Sequence, residues 1–216
     1  NDENLQHTNR AFGNMYLEYT PNIGWDGFNL KFREQIGIDM WTSNYASIAE
    51  VGDAKQKTGS VENSGLQQNN LNNLFTINLD GKFGADKQFG LNVVLGNEVN
   101  EEHARDWYYY GSNLNFYGFP VIGNATNFSS DEATSEERTV GFFGQASLDW
   151  ASQLYLTVTA RNDYVSTMPR GSRSFFYPSV SLGWEFTKLP MLENNKILTY
   201  GKLRASYAQV GQAGHY

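Results

Sequence analysis

Cysteine is absent from the 216 residues, which removes disulfides and thiolate metal sites and by itself assigns no compartment. No run of about 18 apolar residues occurs, so a transmembrane helix is excluded while a β-strand span stays open. Histidine is scarce, with His7, His103 and His215 in no H-x-x-H or H-E-x-x-H spacing, and loop positions account for them better than a metal site. There is no G-x-S-x-G elbow and no Walker loop, so nothing points to an enzyme and no cofactor is expected. Basic charge is outnumbered, 16 Lys and Arg against 23 Asp and Glu for a net charge of −7, which argues against a general nucleic-acid binder. The first residues, NDENLQHTNR, carry neither a basic nor an apolar leader segment, so the chain reads as mature or as a piece of something longer. Helical periodicity is hard to find anywhere.

What is present favours β-structure with tight turns. Aromatic residues make up 15%, with 13 Tyr, 14 Phe and 5 Trp, beside 21 Gly. Such a composition fits pleated, half-exposed surfaces. Mean hydropathy is −0.53, yet a transmembrane β-barrel averages out hydrophilic because it combines a lipid face with a polar lumen.

Alternation at a period of two recurs along the chain. Leu154, Leu156, Val158 and Ala160 oppose Tyr155, Thr157, Thr159, Arg161 and Asp163. Phe28, Leu30, Phe32, Ile36, Ile38 and Met40 oppose Lys31, Arg33 and Asp39, with Glu34 breaking the apolar side. The same division appears in 75–80, 89–98, 140–150, 176–186 and 203–207, with a weaker strand near 15–20. This makes about eight strands, most of them about ten residues long, enough to cross a bilayer when tilted.

Compact connections at 21–26, 81–87, 151–152 and 189–196 alternate with long polar segments at about 51–70, 103–137 and 165–174. Short turns at one end and long loops at the other predict an all-β, antiparallel, up-and-down transmembrane barrel in the outer membrane. Aromatics gather near the strand ends, with Tyr19, Trp25, Trp150, Trp184 and Phe186 at one end and Trp41, Tyr164 and Phe175 at the other, as interfacial girdles do. A soluble β-sandwich that binds glycans through loop aromatics is the alternative. A small self-closing barrel, serving as enzyme or adhesin, is the third reading.

The segment from Tyr155 to Gly211 carries a resemblance. Tyr155 with Arg161, Asp163 and Ser166, the hairpin Tyr177, Pro178, Ser179 to Gly183, Trp184, and the run Gly201, Lys202, Leu203, Arg204, Ala205, Ser206, Tyr207 resemble the barrel of SusC/RagA family TonB-dependent outer-membrane transporters of Bacteroidetes. The resemblance implies nutrient import, of glycan or peptide, through a barrel of about 22 strands with a plugged lumen. It further implies a SusD-like surface lipoprotein as partner and the TonB complex acting through the plug. No plug, TonB box or closing C-terminal strand is recognisable, so residues 1–216 are expected to be part of the receptor's barrel domain, an internal stretch of wall set in outer-membrane lipid.

Two groups of candidate residues follow. Trp107, Tyr108 and Tyr110 sit in the predicted long loop, where flat amphipathic rings offer contact area to a ligand; continuation of the preceding strand's girdle is the competing reading. Lys31, Arg33, Asp39, Glu98, Arg161, Asp163, Glu185, Lys202 and Arg204 are expected to face the lumen, because hydrocarbon would penalise them. Neighbouring strands suggest Glu185 or Asp149 as partners of Arg161. The acidic run Asp131, Glu132, Glu136, Glu137 reads as a solvated loop, its spacing matching no calcium loop.

Overall fold

Successive side chains of an extended chain point to opposite faces, so each alternating segment is a strand with one oily side. The computed structural model describes residues 3–52, 57–192 and 195–211. Its strands are β1 (Glu3–Tyr19), β2 (Phe28–Val51), β3 (Thr58–Phe83), β4 (Phe89–Leu114), β5 (Ala125–Trp150), β6 (Leu154–Val165), β7 (Ser174–Trp184) and β8 (Leu203–Ala208), with single 3-10 turns at Ile122–Asn124 and Phe186–Lys188. They form one eight-stranded sheet in sequence order. Up-and-down connection follows from the compact turns, which can join only antiparallel neighbours. At the turn after β5, Ala151 and Ser152 both adopt positive φ, 52° and 51°, the conformation that matches the twist of a two-residue hairpin.

Register fixes the faces. Leu156 lies opposite Leu148 and Leu182, and Val158 opposite Ala146 and Val180. Tyr207 and Ala205 of β8 continue that row beside Val180 and Leu182. The other face carries Thr157 against Ser147 and Ser181, and Arg161 against Phe143 and Tyr177. Phe175 pairs with Asp163 and falls on the polar side; Phe176, opposite Asn162, occupies the girdle position expected of Phe175. The last strand-like residues of the 176–186 segment leave the sheet, since β7 stops at Trp184 and Phe186 opens a 3-10 turn.

Two predicted long segments are strand. Residues 58–70 belong to β3, and the 103–137 segment divides into the end of β4, a connection at 115–124 and the first half of β5. Both faces of these stretches are polar, so hydrophobic alternation vanishes while ladder hydrogen bonds persist. Side-chain pairs across strands hold them instead, such as Gln68 Nε2 to Glu102 at 2.8 Å and Thr58 Oγ1 to Asn113 Oδ1 at 2.6 Å. The 189–196 connection is described except at 193 and 194, and His215 lies outside the described residues.

The chain divides into two units, one of Asn1–Asn14, Gly37–Leu71 and Glu101–Glu137, the other of Met15–Ile36, Asn72–Asn100 and Arg138–Tyr216. In the second unit the turn ends carry stacked rings, Phe28 on Phe83 at 6.3 Å and Phe83 on Phe89 at 5.2 Å between centroids. Among the described residues only Val61, Val165 and Met168 are buried apolar side chains, while Leu95, Phe142, Val158, Leu182 and Tyr207 are exposed. A soluble sandwich of this size would bury its apolar face against a second sheet; here a single sheet leaves that face open, which sets the sandwich aside. β1 and β8 are the two end strands of the sheet, so the self-closing small barrel is set aside as well.

Candidate functional site

The polar face of the second unit is organised around Arg161. Its Nη2 reaches Glu98 Oε2 of β4 at 2.8 Å, and its Nε donates to Asp163 at 2.8 and 3.1 Å. The intervening strand β5 must let the guanidinium pass, and Gly141 does so: a Cβ there would lie 2.6 Å from Arg161 Nη2 and 2.4 Å from Asp163 Oδ1. Phe143, opposite Arg161, supplies a ring 5.7 Å below the guanidinium and itself lies over Gly96. Glu98 also accepts from the Asn72 amide, which bonds Asn100 at 2.6 Å. Asp149 and Glu185 are therefore not the partners of Arg161. Asp149 lies over Gly90 instead, because nearest-strand reasoning ignores a side chain long enough to cross a whole strand over a glycine.

The other expected polar-face residues form smaller pairs. Lys31 and Arg33 share Glu18 at 3.3 and 3.7 Å, and Arg33 stacks 4.2 Å over Tyr16. In the first unit, Arg10 grips Asp39 through two hydrogen bonds of 2.9 and 2.7 Å. Glu185 sits just past β7, held by Lys188 at 3.0 Å and Lys202 at 3.3 Å, and Lys202 lies 4.0 Å over the Tyr155 ring. Arg204 stands opposite Gly183 on β8. Aliphatic stems over aromatic rings with paired charges at their tips keep such a face rigid without an apolar core.

The aromatic row 107–110 lies in β4, so its members alternate between faces and cannot form one site. Tyr108 shares the side of Glu98 and donates to Glu62 at 3.4 Å; Tyr110, two residues on, has the same parity. Trp107 points the opposite way, its ring lying flat where a Gly65 side chain would be, with Cζ2 2.3 Å from that Cβ position. Beside it Arg105 clasps Glu132 at 2.8 and 2.9 Å, and Tyr109 donates to the same carboxylate at 3.3 Å. Glu132 is thus a strand residue committed to Arg105, where the sequence suggested a solvated loop. Gly141, Phe143, Asn72, Arg10 and Arg105 carried no signal in the sequence, because their importance depends on register alone.

Hydrogen bonding from Arg105 holds the Glu132 carboxyl below the usual carboxylate range. A depressed folded-state value means that the stabilisation is present above the ordinary carboxylate range and is lost as pH falls through the lowered value. Both side chains are more than 40% exposed, 45% and 43%, so screening keeps the contribution small. Arg105→Met should therefore shift apparent melting only slightly at neutral pH, and the difference from the parent should vanish on acidification and in high salt. Thermal scans across pH and ionic strength check this.

A family described as TonB dependent receptor-like, beta-barrel, matches residues 1–215. TonB-dependent receptor P26 of Formosa agariphila is 21% identical over 220 residues, covering 94% of this chain and 21% of that protein. Among solved structures, the RagAB peptide transporter superposes with a TM-score of 0.74 at 18% identity over 96% of this chain and 23% of that one. The RagAB peptide importer in its open-open state gives 0.75 at 20% identity over 96% and 22%. The chain thus spans about a fifth of the curated relative's length and under a quarter of the structural ones.

Proposed function

Since the chain belongs to the TonB-dependent receptor β-barrel family of the outer membrane, we propose that residues 1–216 are wall of a SusC-like importer of peptides or glycans. In this reading the wall works with a SusD-like surface lipoprotein, and the TonB complex drives uptake through a plug that fills the lumen. The observation that carries it is the division of one sheet into an exposed apolar face and a charged face rich in ion pairs. Leu154, opposite Trp150 and Trp184, and Tyr164, opposite Val140, bound the apolar side of β6. Ten residue steps at about 3.3 Å, tilted by about 45°, span roughly 23 Å, close to the height of the lipid-facing band of an outer-membrane barrel.

The opposite face becomes the lumen lining. Lys31, Arg33, Asp39, Glu98, Arg161, Asp163, Glu185, Lys202 and Arg204 give it polarity, with docking of the plug a second role. Tyr108 and Tyr110 are the aromatic contacts offered to cargo. Peptide is the class carried by the RagAB structures, and the neutral-amide and aromatic content of the face suits glycans equally. Uptake of a fluorescent peptide pool and of a fluorescent oligosaccharide pool by cells with the intact receptor should each be compared with and without TonB. Loss of uptake of one pool in the TonB-deficient cells supports import and names the class; unchanged uptake of both overturns the proposal.

An acidic residue interrupts the lipid face of β2. Glu34, between Phe32 and Ile36, accepts a hydrogen bond from the Asn73 amide of β3. Replacing a desolvated polar pair by apolar groups is often neutral or stabilising. Glu34→Leu combined with Asn73→Leu should raise the stability of the full-length receptor in detergent by about 1–2 kcal/mol, and Glu34→Leu alone by less, because it strands the amide. Urea midpoints measure it, and a lower midpoint for the double variant contradicts the lipid-facing placement.

A further inference from the structure

We propose that the outer side of the wall carries a saccharide-binding groove built on Trp107, separate from the lumen. The groove is a hollow of about 440 Å³ in the first unit, lined by Leu5, His7, Asn44, Ala46, Asn63 and Trp107 together with the intervening Gln6, Tyr45 and Ser64. By strand parity Trp107 shares the face of Leu91 and Leu95, and its contact with Gly65 puts Asn63, two residues away on β3, on that face as well. Its volume lies within the range of small-molecule sites.

Two features select the ligand. Trp107 is braced from beneath by Gly65, and an aromatic wall of that kind presents a flat surface to the C–H face of a sugar ring. Around it stand two carboxamides and one imidazole, Asn44, Asn63 and His7, which among the described residues take part in no hydrogen bond within the chain. Each carboxamide both donates and accepts, which matches neighbouring hydroxyls. No carboxylate, lysine or arginine lines the hollow, and the nearby Arg105 is occupied by Glu132 at 2.8 Å. A neutral polyol therefore fits where an anion or cation does not.

Position in the strand agrees with that chemistry. Trp107 lies in the part of β4 from Glu101 on, where hydrophobic alternation has ended and both faces are polar. Such a stretch does not suit hydrocarbon. Sugars of a surface glycolipid, or a free surface polysaccharide, are the polyols met outside it. The inference rests on the outer-membrane placement of the wall and not on which cargo is imported.

The test uses the full-length receptor in detergent, titrated with lipopolysaccharide from its own cells, with the oligosaccharide released from it by mild acid, and with free surface polysaccharide. Trp107→Ala should weaken binding of a sugar probe at least tenfold, and the His7→Ala, Asn63→Ala pair should do likewise without disturbing the packing on Gly65. Gln68→Ala, on the opposite face, should leave binding unchanged. Response of the lipopolysaccharide and its released oligosaccharide names the glycolipid as the source, and response of the polysaccharide alone names the free polymer. Lipopolysaccharide binding that is indifferent to both groove variants, or no binding of any probe, overturns the groove. Uptake measured in parallel with the same variants separates this failure from failure of the import reading.

Discussion

Val158→Arg should lower the stability of the full-length receptor by about 2–4 kcal/mol, the cost of an arginine near the midplane of a barrel's lipid face. Val158 lies four residues into β6, flanked by Ala146 and Val180, and is 46% exposed on the apolar side. A guanidinium there, flanked by Ala146 and Val180, must extend toward a headgroup. Leu156→Arg should cost less, because Leu156 is only two residues from Leu154 and the Trp150 and Trp184 row, where snorkelling is short. Thr157→Arg, one residue away on the polar face beside Ser147 at 3.1 Å, should cost little. Urea or thermal unfolding in micelles would return the order Val158, Leu156, Thr157. Equal costs at 157 and 158 would mean that the two faces have been assigned the wrong way round.

Arg161→Ala should cost about 2–3 kcal/mol, the usual effect of removing one partner from charge-assisted hydrogen bonds that are partly desolvated. Side-chain exposures of 34% for Arg161, 25% for Glu98 and 16% for Asp163 put the group between a surface pair and a buried one. The alanine leaves the Glu98 and Asp163 carboxylates without the guanidinium they share. Glu98→Gln in the Arg161→Ala background should therefore recover part of the loss. Gly141→Ala should cost roughly half as much as Arg161→Ala, since its methyl would meet the guanidinium 2.6 Å away and force the bridge to open without deleting it. If Gly141→Ala proved neutral while Arg161→Ala did not, the route of Arg161 across β5 would be wrong.

The legible part of the fold is the part whose two faces meet different surroundings. In β6, Leu156 and Val158 meet lipid and Thr157 and Thr159 meet a polar interior, so alternation is enforced residue by residue. In the far half of β4, from Glu101 to Leu114, and the near half of β5, both sides are polar, and the code that marks a strand disappears although the strand continues. That is why Trp107, Tyr108 and Glu132 read as loop residues. The same loss hid the opposite orientations of Trp107, over Gly65, and Tyr108, which donates to Glu62.

By itself the sequence determined the class of the protein: an all-β chain of eight strands with one oily face, short turns at one end, and a Tyr177 to Trp184 segment, all of it within β7, that resembles a TonB-dependent receptor wall. It could do so because strand parity, turn chemistry and hydrophobicity are local properties, readable within ten residues. Only the tertiary structure decided which charge meets which. Arg161 reaches Glu98 across 63 positions of sequence, over a glycine whose importance exists only once β4, β5 and β6 lie side by side. Register is set by the summed pairing of whole strands, and no single stretch of sequence contains that sum.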